Sequence, residues 1–181
     1  MEVSALGGSR RRPAQDGDRQ DPAFQAARLT VTALEKALVE AEQAIGPDWF
    51  VRLDSFLVSR LPEQPYLPGK TPRPSTGAVF DISARAGDAV TAANWRESEA
   101  WAAGFVLLRR GFFWEAHEVW EPVWLALVPD SADRAFVQAA IQYANARLKA
   151  VMGRDKAARR IDAIATAHFE TALARGFRPG G

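Results

Sequence analysis

The sequence predicts an all-α protein, a helical bundle of about six helices built around two consecutive αα-hairpins. Three observations predict it. Apolar residues recur at helical spacing through windows long enough for several turns. Glycine and proline punctuate those windows, at Gly46-Pro47, Gly111, Pro129 and Gly153. Gly111 and Gly153 each separate a pair of helical windows and are each followed five residues later by an alanine, Ala116 and Ala158. That faint repeat is distantly like tetratricopeptide units, but two copies are too few for a solenoid, so the hairpins should close into a bundle.

The elements follow in order. Residues 1–21 are polar. Arg10, Arg11 and Arg12 are balanced by Asp16, Asp18 and Asp21, so a solvated, disordered tail is expected. Asp21-Pro22 is an N-cap with proline at the first helical position, and Leu34, Leu38, Ala41 and Ile45 carry the helical stripe up to Gly46-Pro47. A second helix should run from Trp49 to Arg60, with Phe50, Leu53, Phe56 and Leu57 on one stripe. Residues 61–77 then hold five prolines and two glycines, an extended and stiff segment. Its apolar anchors, Tyr66 and Leu67, favour a strap lying on the domain over a free linker.

Residues 78–92 are ambiguous, since Val79, Phe80 and Ile82 could form a short extended piece and Ser83 or Asp88 could cap helical turns. Beyond them the pattern strengthens. A helix over 94–110 carries Trp101, Phe105 and Leu108, and Gly111 should end it in the left-handed conformation. Helix resumes over 113–128, with Pro122 inside it at the cost of one hydrogen bond. Helices over 132–152 and 155–174 follow, split by Gly153, and the tail GFRPGG should fray. The expected organisation is a tail (1–21), an N-terminal helical segment with the strap (22–92), a helical domain (93–175) and a frayed end (176–181).

Composition narrows the function classes. The formal net charge is +1, which gives no global drive toward nucleic acid or anionic membrane. The chain has no cysteine, which excludes disulfides, thiol nucleophiles and thiolate metal sites. No apolar run approaches the roughly 20 residues that span a bilayer, and the N-terminus has no apolar core like that of a secretory signal. The expected location is the cytoplasm, with no membrane partner. Nucleic acid is a low outsider, since Arg10–Arg12 is the only basic run of the tail.

The chemistry is concentrated in residues 111–124, GFFWEAHEVWEPVW. At about 100° per residue, His117, Glu121 and Trp124 share one face of the helix, Trp114 and Trp120 flank it, and Glu118 sits on its shoulder. Glu115 points nearly opposite His117, which reads as a solvent-facing residue of the first turn. Three readings compete: a core helix with a buried His117–Glu121 hydrogen bond, a metal site on His117 and Glu121, or acid–base chemistry on His117. The other histidine, His168, lies on the stripe Ala157, Ile161, Ile164, His168 and should face the interior. Gln138, Gln142 and Asn145, with Lys149 a turn further, form an amide row on the helix over 132–152 that could satisfy Glu121 and His117. Arg134 could pair with Glu118 or Glu121.

The run from Gly111 to Trp124, followed by Gln138-Ala139-Ala140-Ile141-Gln142, resembles the bacterial family called domain of unknown function 309. The resemblance covers roughly residues 95–174, and Tyr66-Leu67-Pro68-Gly69-Lys70-Thr71-Pro72-Arg73-Pro74 is similar to a Pro-Gly loop upstream in many members. It implies an all-helical fold and no established activity. By resemblance His117, Glu118, Glu121 and Trp124 are signature positions, with Gln138 and Gln142 behind them. Some members have histidines in the loop and late in the alanine-rich helix. Here those places hold Arg73 and Leu148-Lys149, which weakens a multi-histidine metal site and suits an anionic ligand under the strap.

The functional expectation is a binding module with a tryptophan-walled polar pocket, for a small molecule or a protein segment. Its residues would be His117, Glu118, Glu121, Trp124, Gln138, Gln142, Asn145 and Arg73. A divalent metal on His117 and Glu121 is possible but not favoured, and would make the protein a carboxylate–histidine metal-dependent hydrolase. A purely structural role for the motif is the third expectation. A homodimer stays open.

Overall fold

The computed structural model describes residues 22–179, with side chains from Ala33 onward. The expectations for residues 1–21, and for the last two glycines, fall outside the described residues. Among the described residues the elements are α1 (Pro22–Ala44), α2 (Pro47–Val58), α3 (Ala78–Ala89), a 3₁₀ turn (Trp95–Glu97), α4 (Glu99–Arg109), α5 (Phe113–Ala126), α6 (Ala132–Val151) and α7 (Asp155–Ala174). This is the expected all-α bundle, with seven α-helices instead of about six.

The extra helix is α3, from the segment whose sequence left extended and helical readings open. Its buried residues Val79, Ile82 and Ala86 are spaced three and four apart, and that stripe packs on α5 and α4. The other helix ends follow local chemistry. The Ser98 hydroxyl accepts from the Trp101 amide (3.2 Å) and the Ser131 hydroxyl from the Arg134 amide (3.1 Å), capping α4 and α6.

Gly111 and Gly153 end α4 and α6 alike, with φ of 79° and 72°. In each the residue after glycine closes a six-residue ring: Phe112 N–H donates to Leu107 C=O and Arg154 N–H to Lys149 C=O, both at 2.9 Å. This shared ending is the physical content of the repeat. The chain end is tied as well. Phe177 is buried and stacks on Phe136 with ring centres 4.0 Å apart, so GFRPGG does not fray through Phe177.

The core centres on α4, which is buried on nearly every side from Ala100 to Leu107. Trp101 meets Trp95 and Phe105 edge-on at 4.9 and 4.8 Å and lies 5.5 Å from Trp120. Trp120 is fully buried, and its indole N–H donates to the Trp101 carbonyl at 3.0 Å. The indole enters over Gly104, where a Cβ atom would land inside its ring. A glycine in mid-helix costs about 1 kcal/mol against alanine, and here it is what lets α5 approach α4.

A smaller apolar cluster lies on the other side of α5. Trp114, Leu148 and Met152 are buried there, and Tyr66, Leu67, Phe80 and Phe113 pack against them. Segment 61–77 is therefore a strap on the domain, held by the two anchors visible in its sequence.

Candidate functional site

Pro122 shapes the site helix. It has no N–H to donate to the carbonyl four residues back, that of Glu118. α5 nevertheless runs unbroken through it, because the Ser83 hydroxyl of α3 donates to the Glu118 carbonyl at 2.7 Å. The helix carrying the motif thus borrows one hydrogen bond from a neighbour.

On this helix His117, Glu118 and Glu121 come together. One ligand-type atom from each lies within 4.8 Å of the others. His117 and Glu118 are half-buried and Glu121 is exposed, so the group forms a solvent-reached edge of α5. His117 Nδ1 sits 2.9 Å from Asn145 Oδ1 on α6. An amide oxygen only accepts, so Nδ1–H donates this bond and Nε2 is the other ring nitrogen. Burial raises the Glu118 carboxyl above its ordinary value. The His117 ring pulls it back, Glu121 pushes it further up, and Arg73 of the strap lowers it.

The strap reaches the site from above. Tyr66 packs edge-on against Trp114 at 4.9 Å, and the Arg73 guanidinium lies 5.4 Å from the centre of the same indole. The backbone N–H of Tyr66 donates to Glu115 Oε1 at 2.8 Å. This corrects the reading of Glu115 as solvent-facing: its exposure is 1%. The face opposite His117 is covered by the strap. Burial is the main cause raising the Glu115 carboxyl, opposed by the Tyr66 amide, and its Oε2 has no partner among the described residues.

The remaining expected site residues are distributed differently. Asn145 makes the link between helices, while Gln138 and Gln142 occupy half-buried positions on α6. Trp124 is half-buried beneath the Arg134 guanidinium, 4.0 Å above its ring. Arg134 also donates to the Leu127 carbonyl at 2.7 Å, so its partners are α5's aromatic face and C-terminus instead of Glu118 or Glu121. Trp120 belongs to the core and Trp114 to the cluster under the strap.

His168 is half-buried, not interior. Ile164 beside it is 40% exposed, and the inward face of α7 is Ala158, Ala165, Phe169 and Ala172. Desolvation holds its imidazole below the ordinary value, and among the described residues it is not part of the His117 group.

Sequence reasoning missed Glu115 and Ser83. Pro122 was the signal for Ser83, since a proline orphans the carbonyl four residues back and something must serve it. Glu115 gave no comparable signal, because helical phase says which residues share a face and not how many faces are covered.

Fold and site together define an all-helical protein with a carboxylate–histidine edge on one helix of a hairpin pair. The model of a family described as domain of unknown function (DUF309) matches residues 101–161, from α4 into α7. That stretch holds His117, Glu118, Glu121, Trp124, Gln138, Gln142 and Asn145, and leaves out the strap and Arg73. The chain is thus similar to this family over its central helices. No curated protein and no solved structure matches the chain. No helix among the described residues is long and apolar enough to cross a membrane.

Proposed function

We propose that this protein is a binding module whose edge on α5 takes a divalent cation on His117, Glu118 and Glu121, with Arg73 inclining the open side toward an anionic co-ligand. The observation that carries the reading is the convergence of three ligand-type atoms within 4.8 Å. Atoms bound to one zinc-like ion stand roughly 3–4 Å apart, so small side-chain rotations close the set. The Asn145 contact on Nδ1 is the outer-shell partner a metal-bound histidine needs, fixing the tautomer with Nε2 as ligand. One imidazole and two carboxylates suit borderline ions such as zinc or manganese, and three protein ligands leave positions open for water or a small anion.

Titration calorimetry on untagged protein with zinc and manganese chloride tests the reading. One ion per chain is expected, with binding lost in Glu118→Gln and His117→Ala while the helical circular dichroism is unchanged. No binding of either ion, or binding that survives both substitutions, overturns it. Hydrolysis would be a further property of the same loaded site, through water in an open position.

A second reading has its own observation. The His117–Asn145 hydrogen bond ties α5 to α6, so the motif could serve to lock the two hairpins. It expects Asn145→Ala to lower the melting temperature as much as His117→Ala does, with no ion bound by the parent protein.

A further inference from the structure

The turn between α6 and α7 concentrates positive charge. Arg154, Lys156, Arg159 and Arg160 are all exposed, and Asp155 is the one acid among residues 154–160. That is four cations against one carboxylate, in a chain whose formal net charge is only +1. Gly153 turns the chain at φ 72° and sets Arg154 at the head of α7. Lys156, Arg159 and Arg160 are three and four residues apart, so they share one side of that helix. Arg154, Lys156 and Arg160 line one open recess of about 600 Å³, together with Gly153, Asp155 and Ala157.

These arginines differ from the others. Every other arginine with a described side chain has a partner within the chain. Most face a carboxylate, as Arg110 faces Asp54 and Arg96 faces Asp133. The rest donate to a backbone carbonyl, as Arg134 does, or lie on an aromatic ring, as Arg73 does. Arg154, Arg159 and Arg160 alone have no ion pair, hydrogen bond or ring contact among the described residues, and they lie together. The next acid along α7, Asp162, is held by Arg147 at 3.3 Å. Asp155 stands in the first turn of α7, where a carboxylate favours the helix start. Three guanidiniums thus turn all their donors outward at one end of the molecule.

From this we infer that the α6–α7 turn is a docking surface for the phosphate backbone of duplex DNA. The argument for the occupant is charge complementarity. Arg154 and Arg160 are six residues apart, roughly 9 Å along a helix axis, so the cations are spread along a row and do not converge on one small anion. Duplex DNA presents one negative charge per about 1.7 Å of its axis, and a guanidinium fork matches phosphate oxygens. No aromatic side chain lines the recess, so the stacking platform on which single strands lie is missing there. Contacts of this kind hold the backbone without reading bases, so binding should be independent of sequence. The inference shares no residue with the α5 edge, so either can fail without the other.

The test is fluorescence anisotropy of a short labelled DNA duplex with the full chain, across a salt series that starts low. Binding is expected, with log K falling against log salt at a slope of about −3, the value for three to four neutralised phosphates. The double variant Arg159→Ala, Arg160→Ala should bind more weakly and flatten the slope by about two. Both side chains are exposed and contact nothing in the chain, so its helical circular dichroism should match the parent's. The triple variant Arg10→Ala, Arg11→Ala, Arg12→Ala should keep the parent's binding. No binding at low salt overturns the inference, and so does a double variant that binds as the parent does. Loss of binding in the triple variant would move the contact to the N-terminal tail and overturn it too. Equally tight binding of polyglutamate or of phosphatidylglycerol vesicles would overturn DNA as the occupant.

Discussion

The two hairpins are held by opposite kinds of interface. In α4–α5 the contact is aromatic and keyed: Trp101, Phe105 and Trp120 interlock, and one glycine makes room for one indole. In α6–α7 it is built mainly from small residues around the Phe136–Phe169 pair, whose ring centres are 6.2 Å apart. α7 turns Ala158, Ala165 and Ala172 inward at seven-residue intervals, and α6 buries Ala139, Ala140 and Ala144. Small residues let two helices approach closely along their length but tolerate modest rotation. An indole hydrogen-bonded to the facing backbone does not. The rotation of α5 about its axis decides whether His117, Glu118 and Glu121 meet at an edge, and it is the keyed hairpin that carries them. The alanine hairpin supplies Asn145, a single contact point that needs distance more than phase.

The largest way to break this comparison is Gly104→Ala. The added methyl would displace the Trp120 indole and its hydrogen bond to Trp101. We expect a loss of about 3 kcal/mol in urea unfolding, the upper end for overpacking a core. A loss under about 1 kcal/mol would mean that the hairpin is not keyed. Ala165→Leu probes the other interface. A bulky residue there should cost about 2 kcal/mol, yet leave the α5 edge intact, so zinc affinity should fall far less than in Gly104→Ala.

Ser83→Ala is smaller again. Leaving the Glu118 carbonyl without its donor should cost about 1 kcal/mol, and amide exchange should quicken at Glu121 and Val123, on either side of Pro122, instead of across α4. Global exchange changes would contradict the view that Ser83 serves one carbonyl.

The smallest effect is read as a slope. The Glu115 carboxyl is raised above 4.5, so it holds its proton more tightly in the folded chain than in the unfolded one. Such a group favours the folded state at acid pH, and that contribution is lost as pH climbs from about 4.5 through the folded value. Glu115→Gln keeps an oxygen for the Tyr66 amide and removes the titration. Its melting temperature should therefore gain on the parent's between pH 4.5 and 8. A constant difference across that range would mean the carboxyl is not raised.

Much of this architecture was legible in the sequence because its determinants are local. Glycines at 111 and 153, the serine at 131 and the proline after Gly46 fix where helices start and stop, and each acts within one turn; the Ser98 cap, which starts α4 at Glu99 and not at 94, went unread. The meeting of His117 with Glu121 and Glu118 was legible for the same reason, since one helix carries all three. What escaped depended on partners on other elements of the fold. Glu115 looked solvated because α5's own periodicity does not reveal the strap 49 residues upstream. Arg134 looked like a partner for carboxylates because its ring partner, Trp124, and the Leu127 carbonyl lie across a turn from it. α3 stayed ambiguous because its adjacent Val79 and Phe80 face two different clusters, one in the main core and one under the strap.

The bond from Tyr66 to Glu115 also makes the strap observable. Five of the residues in 61–77 are prolines and carry no N–H, so the segment has few amide signals to begin with. Among them Tyr66 N–H alone faces the α5 carboxylate, and its nitrogen chemical shift will report that group's protonation directly. One resonance would then tell an experimenter, in a single titration, both when the strap is seated and what charge lies beneath it.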